Sequence, residues 1–308
     1  MMGRVIAAIT ARAVEAVRAA APSGVDVRTL PDGHEEAEFL VISDDPDALQ
    51  ALPGLRSARV VQTVSAGTDW IEDRVPPWAT LCNARGARDT AVAEWVVGAL
   101  LAAQHGLLRA AHARTWAGER GAAGAATGST DWIADLEGLT VLIVGHGSIG
   151  RAVERRLEPF GVHVVGVAGR ARGGVHGIDE LPALLPGADV LVVLAPLTAA
   201  TRGLIGADEL AALPDGALVA NAGRGPVVVT DALVAELERG RLRAVLDVTD
   251  PEPLPAGHPL WDLALAITPH DAGDTPDADR RAFVLAGEQL ARHARGEPLR
   301  NVVRAASR

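Results

Sequence analysis

The sequence predicts an α/β protein made of two doubly wound domains. Three observations lead there. From residue 139 onward, short continuous apolar runs alternate with helix-like segments, and unbroken apolar runs mark parallel strands covered on both faces. The stretch VLIVGHGSIG, residues 141–150, sets three glycines within six residues between a strand candidate and a helix candidate. Residues 1–90 repeat the strand–helix rhythm more weakly. A chain of 308 residues fits two domains at about 150 residues each.

In order along the chain, strands are expected at 5–9, 39–42, 59–63 and 80–82, with a helix over 11–20. A helix over 91–103 follows, near the crossing between domains. The Gly/Ala-rich segment AGERGAAGAATGST, 117–130, reads as a surface loop or flexible arm. Further strands are expected at 140–144, 162–167, 188–194, 217–220, 244–248 and 265–268. A helix over 149–160 is closed by Gly161, and one over 231–239 takes Thr230 as its cap, with Gly240 beyond it. The last helix spans 275–296, with Thr275 as cap and Pro276 in its first turn. Residues 298–303 then return the chain to the first domain. One domain therefore comprises 1–96 and 276–308, the other 97–275.

Composition excludes several functions. A net charge of −10 argues against nucleic acid as a partner. The single Cys82 permits no intrachain disulfide and no multi-cysteine metal site, and reads as a small core residue. All 29 basic residues are arginine, so Schiff-base chemistry and a P-loop lysine are absent, and with no tyrosine there is no Tyr/Lys pair. The histidines show no HxH or HExxH spacing, so no metal is expected. No apolar run approaches the ~20 residues of a membrane span, and the amino-terminal apolar run is too short for a signal peptide. A cytoplasmic enzyme or binding protein is expected, with no membrane partner.

Gly145, Gly147 and Gly150 follow a strand and open a helix, the context a dinucleotide site requires. Gly145 allows the tight turn, Gly147 lets backbone approach a pyrophosphate, and Gly150 lets helix pack on strand. The helix amino end, with Ser148 and Ile149, offers N–H groups and a partial positive charge. His146, inside the turn, either touches the coenzyme or faces solvent. The acidic residue that would bind a ribose hydroxyl about 20 positions on is missing. Ala168 stands there, followed by Gly169, Arg170 and Arg172. Arginine binds phosphate through two parallel bonds, so NADP(H) is preferred to NAD(H); the alternative is a pair of solvated loop charges.

Arg224, Asp247 with Glu252, and His270 each follow a successive strand candidate, where ligands bind in open α/β sheets. Reduction of a 2-oxo acid needs a proton for the carbonyl oxygen, which histidine supplies near neutral pH. A carboxylate beside it orients the ring, and an arginine grips the substrate carboxylate. His270, Glu252 and Arg224 fit these roles.

On VSAGTDWIE (64–72), NARGARDTAVAEW (83–95), VGHGSIG (144–150), LVVLAPLTAATRGLI (191–205), VANAGRGPVV (219–228), DVTDPEPLP (247–255) and TPHDAG (268–273), the chain resembles the D-isomer-specific 2-hydroxyacid dehydrogenase family. In character it is nearest the NADP-using glyoxylate/hydroxypyruvate reductase branch. The resemblance implies a Rossmann-type parallel-sheet cofactor domain and a smaller flavodoxin-like substrate domain. It implies that Arg224 binds substrate, that Glu252 partners the acid–base His270, and that Asp247 lies near the nicotinamide. It implies that the backbone at Ala66 and Gly67 binds the substrate carboxylate, with further coenzyme contacts at Ala195, Pro196, Thr201, Ala222, Gly223 and Gly273. It also implies a homodimer joined through its cofactor domains.

Asp271, after His270, departs from the small or apolar residue common there; it either shifts the histidine's titration or faces solvent. Trp70 either lines the substrate pocket or packs in the core. The other readings are a D-3-phosphoglycerate dehydrogenase, with Arg85 and Arg88 as phosphate ligands, a D-lactate dehydrogenase, and an NAD(P)-sensing binding protein or corepressor.

Overall fold

A computed structural model describes residues 5–30, 34–43, 49–50, 52–113 and 133–307. The arm expected at 117–130 lies outside these residues. The strands are β1 (Ile6–Ile9), β2 (Asp26–Thr29), β3 (Phe39–Ile42), β4 (Val60–Thr63), β5 (Thr80–Cys82), β6 (Thr140–Val144), β7 (His163–Ala168), β8 (His176–Gly177), β9 (Val190–Val193), β10 (Leu218–Asn221), β11 (Arg243–Leu246), β12 (Ala266–Ile267) and β13 (Val302–Arg304). The helices are α1 (Val14–Ala20), α2 (Asp89–Gln104), α3 (Leu107–Ala113), α4 (Ser148–Leu157), α5 (Leu181–Leu184), α6 (Ala207–Ala212), α7 (Thr230–Glu238), α8 (Leu260–Leu263) and α9 (Pro276–Ala294). None among the described residues is long and apolar enough to cross a membrane.

The chain divides into two compact units, one of Met1–Asp89 with Asp274–Arg308, the other of Thr90–Gly273. The second unit holds a seven-stranded sheet ordered β12-β11-β10-β9-β6-β7-β8, parallel throughout. This is a Rossmann-type order, reversing between β6 and β9. The first unit's sheet, β13-β5-β4-β3-β1-β2, has the flavodoxin-like order in its parallel strands. β13 closes one edge antiparallel to β5.

The apolar runs are continuous because each face of each sheet has its own cover. Leu142, Val144, Leu191, Val193, Val219 and Leu246 pack on one side of the second sheet with helices α5, α6 and α7. Their alternate neighbours Val141, Ile143, Val190, Val192, Leu218 and Val245 pack on the other with α2 and α4. The first sheet divides the same way. Leu40, Ile42 and Val61 face one layer, and Phe39, Val41 and Val60 face α1 and α9. The division between units falls at Asp89/Thr90 because α2 buries Val92, Val96 and Leu100 against the second sheet.

Two local expectations change. Thr230 does not cap its helix: Val229 occupies the N-cap position, and the Thr230 hydroxyl donates instead to the Asp250 carbonyl at 2.7 Å. Three strands, β2, β8 and β13, are not among those the sequence predicts. β2 reads DVRT with every residue half-buried, so no apolar run marks it.

Thr275 caps α9, its hydroxyl accepting from Ala278 N at 3.1 Å, and Pro276 follows at the first position. Thr275→Ala is expected to lower stability by about 1 kcal/mol in a denaturant titration, with Thr275→Ser close to wild type.

Candidate active site

All seven strands of the second sheet run parallel, so their carboxyl ends share one edge, and the predicted residues of this unit lie there. At β6 the chain turns through Gly145, whose φ is +101°. A Cβ on Gly145 would overlap Ala195 N and Leu194 C, so the turn after β6 sits directly against the backbone after β9. Gly147 differs: a Cβ there would meet only Gly145 O, at 3.9 Å, which leaves open space for a ligand's close approach. Gly150 abuts Gly145 O and Ile143, with 3.0 and 3.3 Å to an added Cβ. α4 then begins at Ser148, with no acidic residue in its first turn. Its first N–H groups have no intrahelical acceptor, so the turn fits a pyrophosphate.

His146 does not face solvent. It is 5% exposed, its ring lies against Gly166, where a Cβ would come within 2.7 Å, and its Nε2 meets Glu154 Oε2 at 2.9 Å. Only its backbone remains on the turn. At the end of β7, Ala168 is buried and Gly169 and Arg170 are exposed. Arg172 is exposed as well, and its Nη2 donates to His146 O at 2.8 Å. A two-residue turn through Gly173 and Gly174 (φ +44° and +82°), closed by reciprocal backbone bonds between Arg172 and Val175, folds it back toward the glycine turn.

The loop after β9 holds Ala195, Pro196 and Thr201. The Thr201 hydroxyl donates to Pro196 O at 2.6 Å. After β10, Ala222 N donates to Val193 O at 3.1 Å. Gly223 packs its Cα against Ala195 O. Asn221 stiffens this loop from both sides: Oδ1 accepts from Gly223 N at 3.1 Å and Nδ2 donates to Arg224 O at 3.2 Å. Arg224 Nη1 donates to Gly223 O at 2.9 Å. Gly225 has no room for a Cβ because the Thr249 carbonyl, in the loop after β11, fills that place.

His270 and Glu252 meet as expected, with Nδ1 and Oε1 2.6 Å apart. A carboxylate on Nδ1 sets the tautomer with the proton there and leaves Nε2 as the ring's unprotonated nitrogen. His270 has φ +59°, a left-handed conformation uncommon outside glycine. Asp247 holds it there. Its carbonyl accepts from His270 N at 2.8 Å, and its Oδ1 accepts from Asp271 N and Ala272 N, each at 3.0 Å, and from the Thr268 hydroxyl at 2.6 Å. Burial pushes the Asp247 carboxyl above its usual range, partly offset by these donors. The Asp271 residue is exposed, and Gly273 ends the unit.

In the first unit, the loop after β4 is tied by its carbonyls. Ser65 O accepts from Ala84 N at 2.8 Å and from Thr63 Oγ1 at 2.9 Å, and Ala66 O accepts from Asn83 Nδ2 at 2.7 Å. Across a trans peptide the N–H points opposite its carbonyl, so the Ala66 and Gly67 N–H groups turn away from these anchors. Trp70 packs on the core, and its Nε1 donates to Gly67 O at 3.1 Å. Asn83, Asn221, Thr268 and Glu154 are not singled out by the sequence as supports of the site. Of these, Asn221 carried a visible signal, a polar residue ending the apolar strand LVAN. Among the described residues no cluster of histidine, cysteine or acidic side chains fits a metal ion.

Residues 99–272 match the family model for the D-isomer specific 2-hydroxyacid dehydrogenase NAD binding domain. The chain is 33% identical over 286 residues to a glyoxylate reductase of Thermofilum pendens, covering 85% of this chain and 79% of that protein. Its structure is similar to a D-isomer specific 2-hydroxyacid dehydrogenase from Xanthobacter autotrophicus bound to NADPH and MES, at 28% identity, TM-score 0.80 and 98% coverage of both chains. It is also similar to an NADPH-dependent glyoxylate/hydroxypyruvate reductase from Sinorhizobium meliloti bound to NADP and sulfate, at 27% identity, TM-score 0.78 and coverage of 97% and 98%.

Gly166→Ala drives a methyl into the His146 ring. It is expected to destabilise the protein by about 1–3 kcal/mol in denaturant and to weaken dinucleotide binding in a fluorescence titration; unchanged affinity would uncouple His146 from the turn.

Proposed function

Because the chain belongs to the D-isomer-specific 2-hydroxyacid dehydrogenase family, we propose that it reduces a small 2-oxo acid, of glyoxylate or hydroxypyruvate type, to the D-2-hydroxy acid. The 2.6 Å pairing of His270 with Glu252 at the carboxyl edge of the dinucleotide-binding sheet carries this reading. A bound nicotinamide dinucleotide supplies the hydride. Arg224 grips the substrate carboxylate through its guanidinium and polarises the carbonyl. His270 gives a proton from Nε2 to the carbonyl oxygen, and Glu252, on Nδ1, orients the ring. In the reverse direction the same nitrogen takes the hydroxyl proton. The Ala66 and Gly67 N–H groups provide further donors for the substrate carboxylate; their tied carbonyls support that role.

The coenzyme in this reading is NADP(H), in preference to NAD(H). Support comes from the missing carboxylate at Ala168 and from Arg172, whose bond to His146 O holds a guanidinium beside the phosphate turn with donors to spare. The NADPH- and NADP-bound relatives point the same way. Arg88 offers little charge to a substrate phosphate, because Asp274 and Asp279 pair with it, the latter at 3.1 Å. A homodimer and a cytoplasmic setting complete the reading, on the family resemblance.

The deciding assay sets a panel of 2-oxo acids against NADPH and NADH and follows coenzyme absorbance. Glyoxylate and hydroxypyruvate should lead, and NADPH should be preferred; no turnover on any member would overturn the reading. His270→Ala should lower kcat by at least ~10²-fold while NADPH binding remains measurable. Arg172→Ala should weaken NADPH binding about 10- to 100-fold and spare NADH. An equal loss for both coenzymes would reduce Arg172 to a prop of the glycine turn.

A further inference from the structure

The left-handed backbone of His270 needs holding, and the holding runs well beyond the loop that bears it. Asp247 Oδ1 gathers three donors, from Thr268 Oγ1, Asp271 N and Ala272 N. Thr268 in turn lies 3.1 Å from Trp95 Nε1, on α2. The direction of this chain is unambiguous. An indole N–H can only donate, so Thr268 Oγ1 accepts from Trp95. The hydroxyl has one proton, and it goes to the Asp247 carboxylate at 2.6 Å. Each bond in such a series polarises the next. With Oδ1 fixed, the N–H groups on the carboxyl side of His270 have one fixed target. The His270 N–H has another, the Asp247 carbonyl at 2.8 Å. The histidine is thus clamped from both sides of its own Cα.

We propose that Trp95 and Thr268 are positioning residues for the proton-transferring His270, acting through Asp247. Neither residue needs to touch substrate or coenzyme for this. Trp95 sits on a helix more than 170 residues earlier in the chain, and its indole N–H, not only its bulk, is what the site uses. The inference rests on the acid–base role given to His270 above, but the clamp itself is a property of the protein without ligands.

Thr268→Val removes the hydroxyl and keeps the shape, leaving Asp247 one donor short. The expected result is a fall in kcat of about 10- to 100-fold, with the KM for the 2-oxo acid and the dissociation constant for NADPH little changed. Thr268→Ser should restore most of the rate. Trp95→Phe should act in the same direction, more weakly. Unchanged kcat in Thr268→Val would overturn the proposal, as would a loss shared by coenzyme affinity or a failure of serine to rescue. A second readout needs no turnover: the His270 imidazole resonance in the ligand-free protein, assigned by its loss in His270→Asn. It should shift or broaden in Thr268→Val and return in Thr268→Ser. If the wild type reduced no 2-oxo acid, the functional reading would fall while this resonance still decided the clamp; an unmoved resonance would end it.

Discussion

The carboxyl edge of the seven-stranded sheet is assembled backbone against backbone, and three missing side chains make that possible. At Gly145 a Cβ would collide with the main chain at Leu194 and Ala195. At Gly223 it would press within about 3.0 Å of Ala195 O, and at Gly225 it would collide with the Thr249 carbonyl. The turns after β6, β9, β10 and β11 therefore form one continuous contact chain. The phosphate turn, the loop of Arg224 and the loop of Asp247 inherit their positions from it. Nothing flexible intervenes, because main chain has no rotamers to yield. The three glycines serve different loops but enforce one constraint, and it fixes where each polar side chain starts.

From that edge outward, polar side chains take over the task of holding. Asn221 fastens the Arg224 loop through both ends of its amide. Asp247 fastens the histidine loop through one carboxylate oxygen and one carbonyl. A buried carboxyl whose burial opposes its charge is kept in place by donors that reward the charged form. His270 in turn occupies a conformation that costs any residue with a Cβ, and such outliers persist only where surroundings over-determine them. The carboxylate of Glu252, by contrast, approaches from a solvent-exposed loop, so it acts on the ring's orientation rather than on the backbone.

Much of this was legible before any coordinates. Buried parallel strands announce themselves as unbroken apolar runs, and β6, β9 and β10 are of that kind. The glycine turn was legible because it demands residues that nothing else there requires. The pairing of Glu252 with His270 followed from their places beyond adjacent strands. What stayed hidden has a common cause. β2 is a half-buried edge strand with alternating charge, so no hydrophobic run betrays it. Thr230 stands where a cap would stand, yet its hydroxyl finds the Asp250 carbonyl, a partner 20 residues away. Glu154 reaches His146 across eight residues, and Trp95 reaches Thr268 across 173. Local sequence rules see none of these, because each partner is chosen by tertiary proximity.

The unequal continuity of the two units has a consequence for how the chain comes into being. The second unit is one uninterrupted stretch, Thr90–Gly273, and its sheet can close as soon as that stretch has left the ribosome. The first unit is split. Its face of Phe39, Val41 and Val60 is covered by Ala282, Ala286 and Leu290 of α9, and its β5 edge is completed by β13. Those residues are translated only after the whole of Thr90–Gly273, a delay of about 10–40 s at about 5–20 residues per second. Until then that apolar face has only Ala13 and Val17 at the first helix to cover it, and transiently exposed apolar surface of this kind is where nascent chains aggregate.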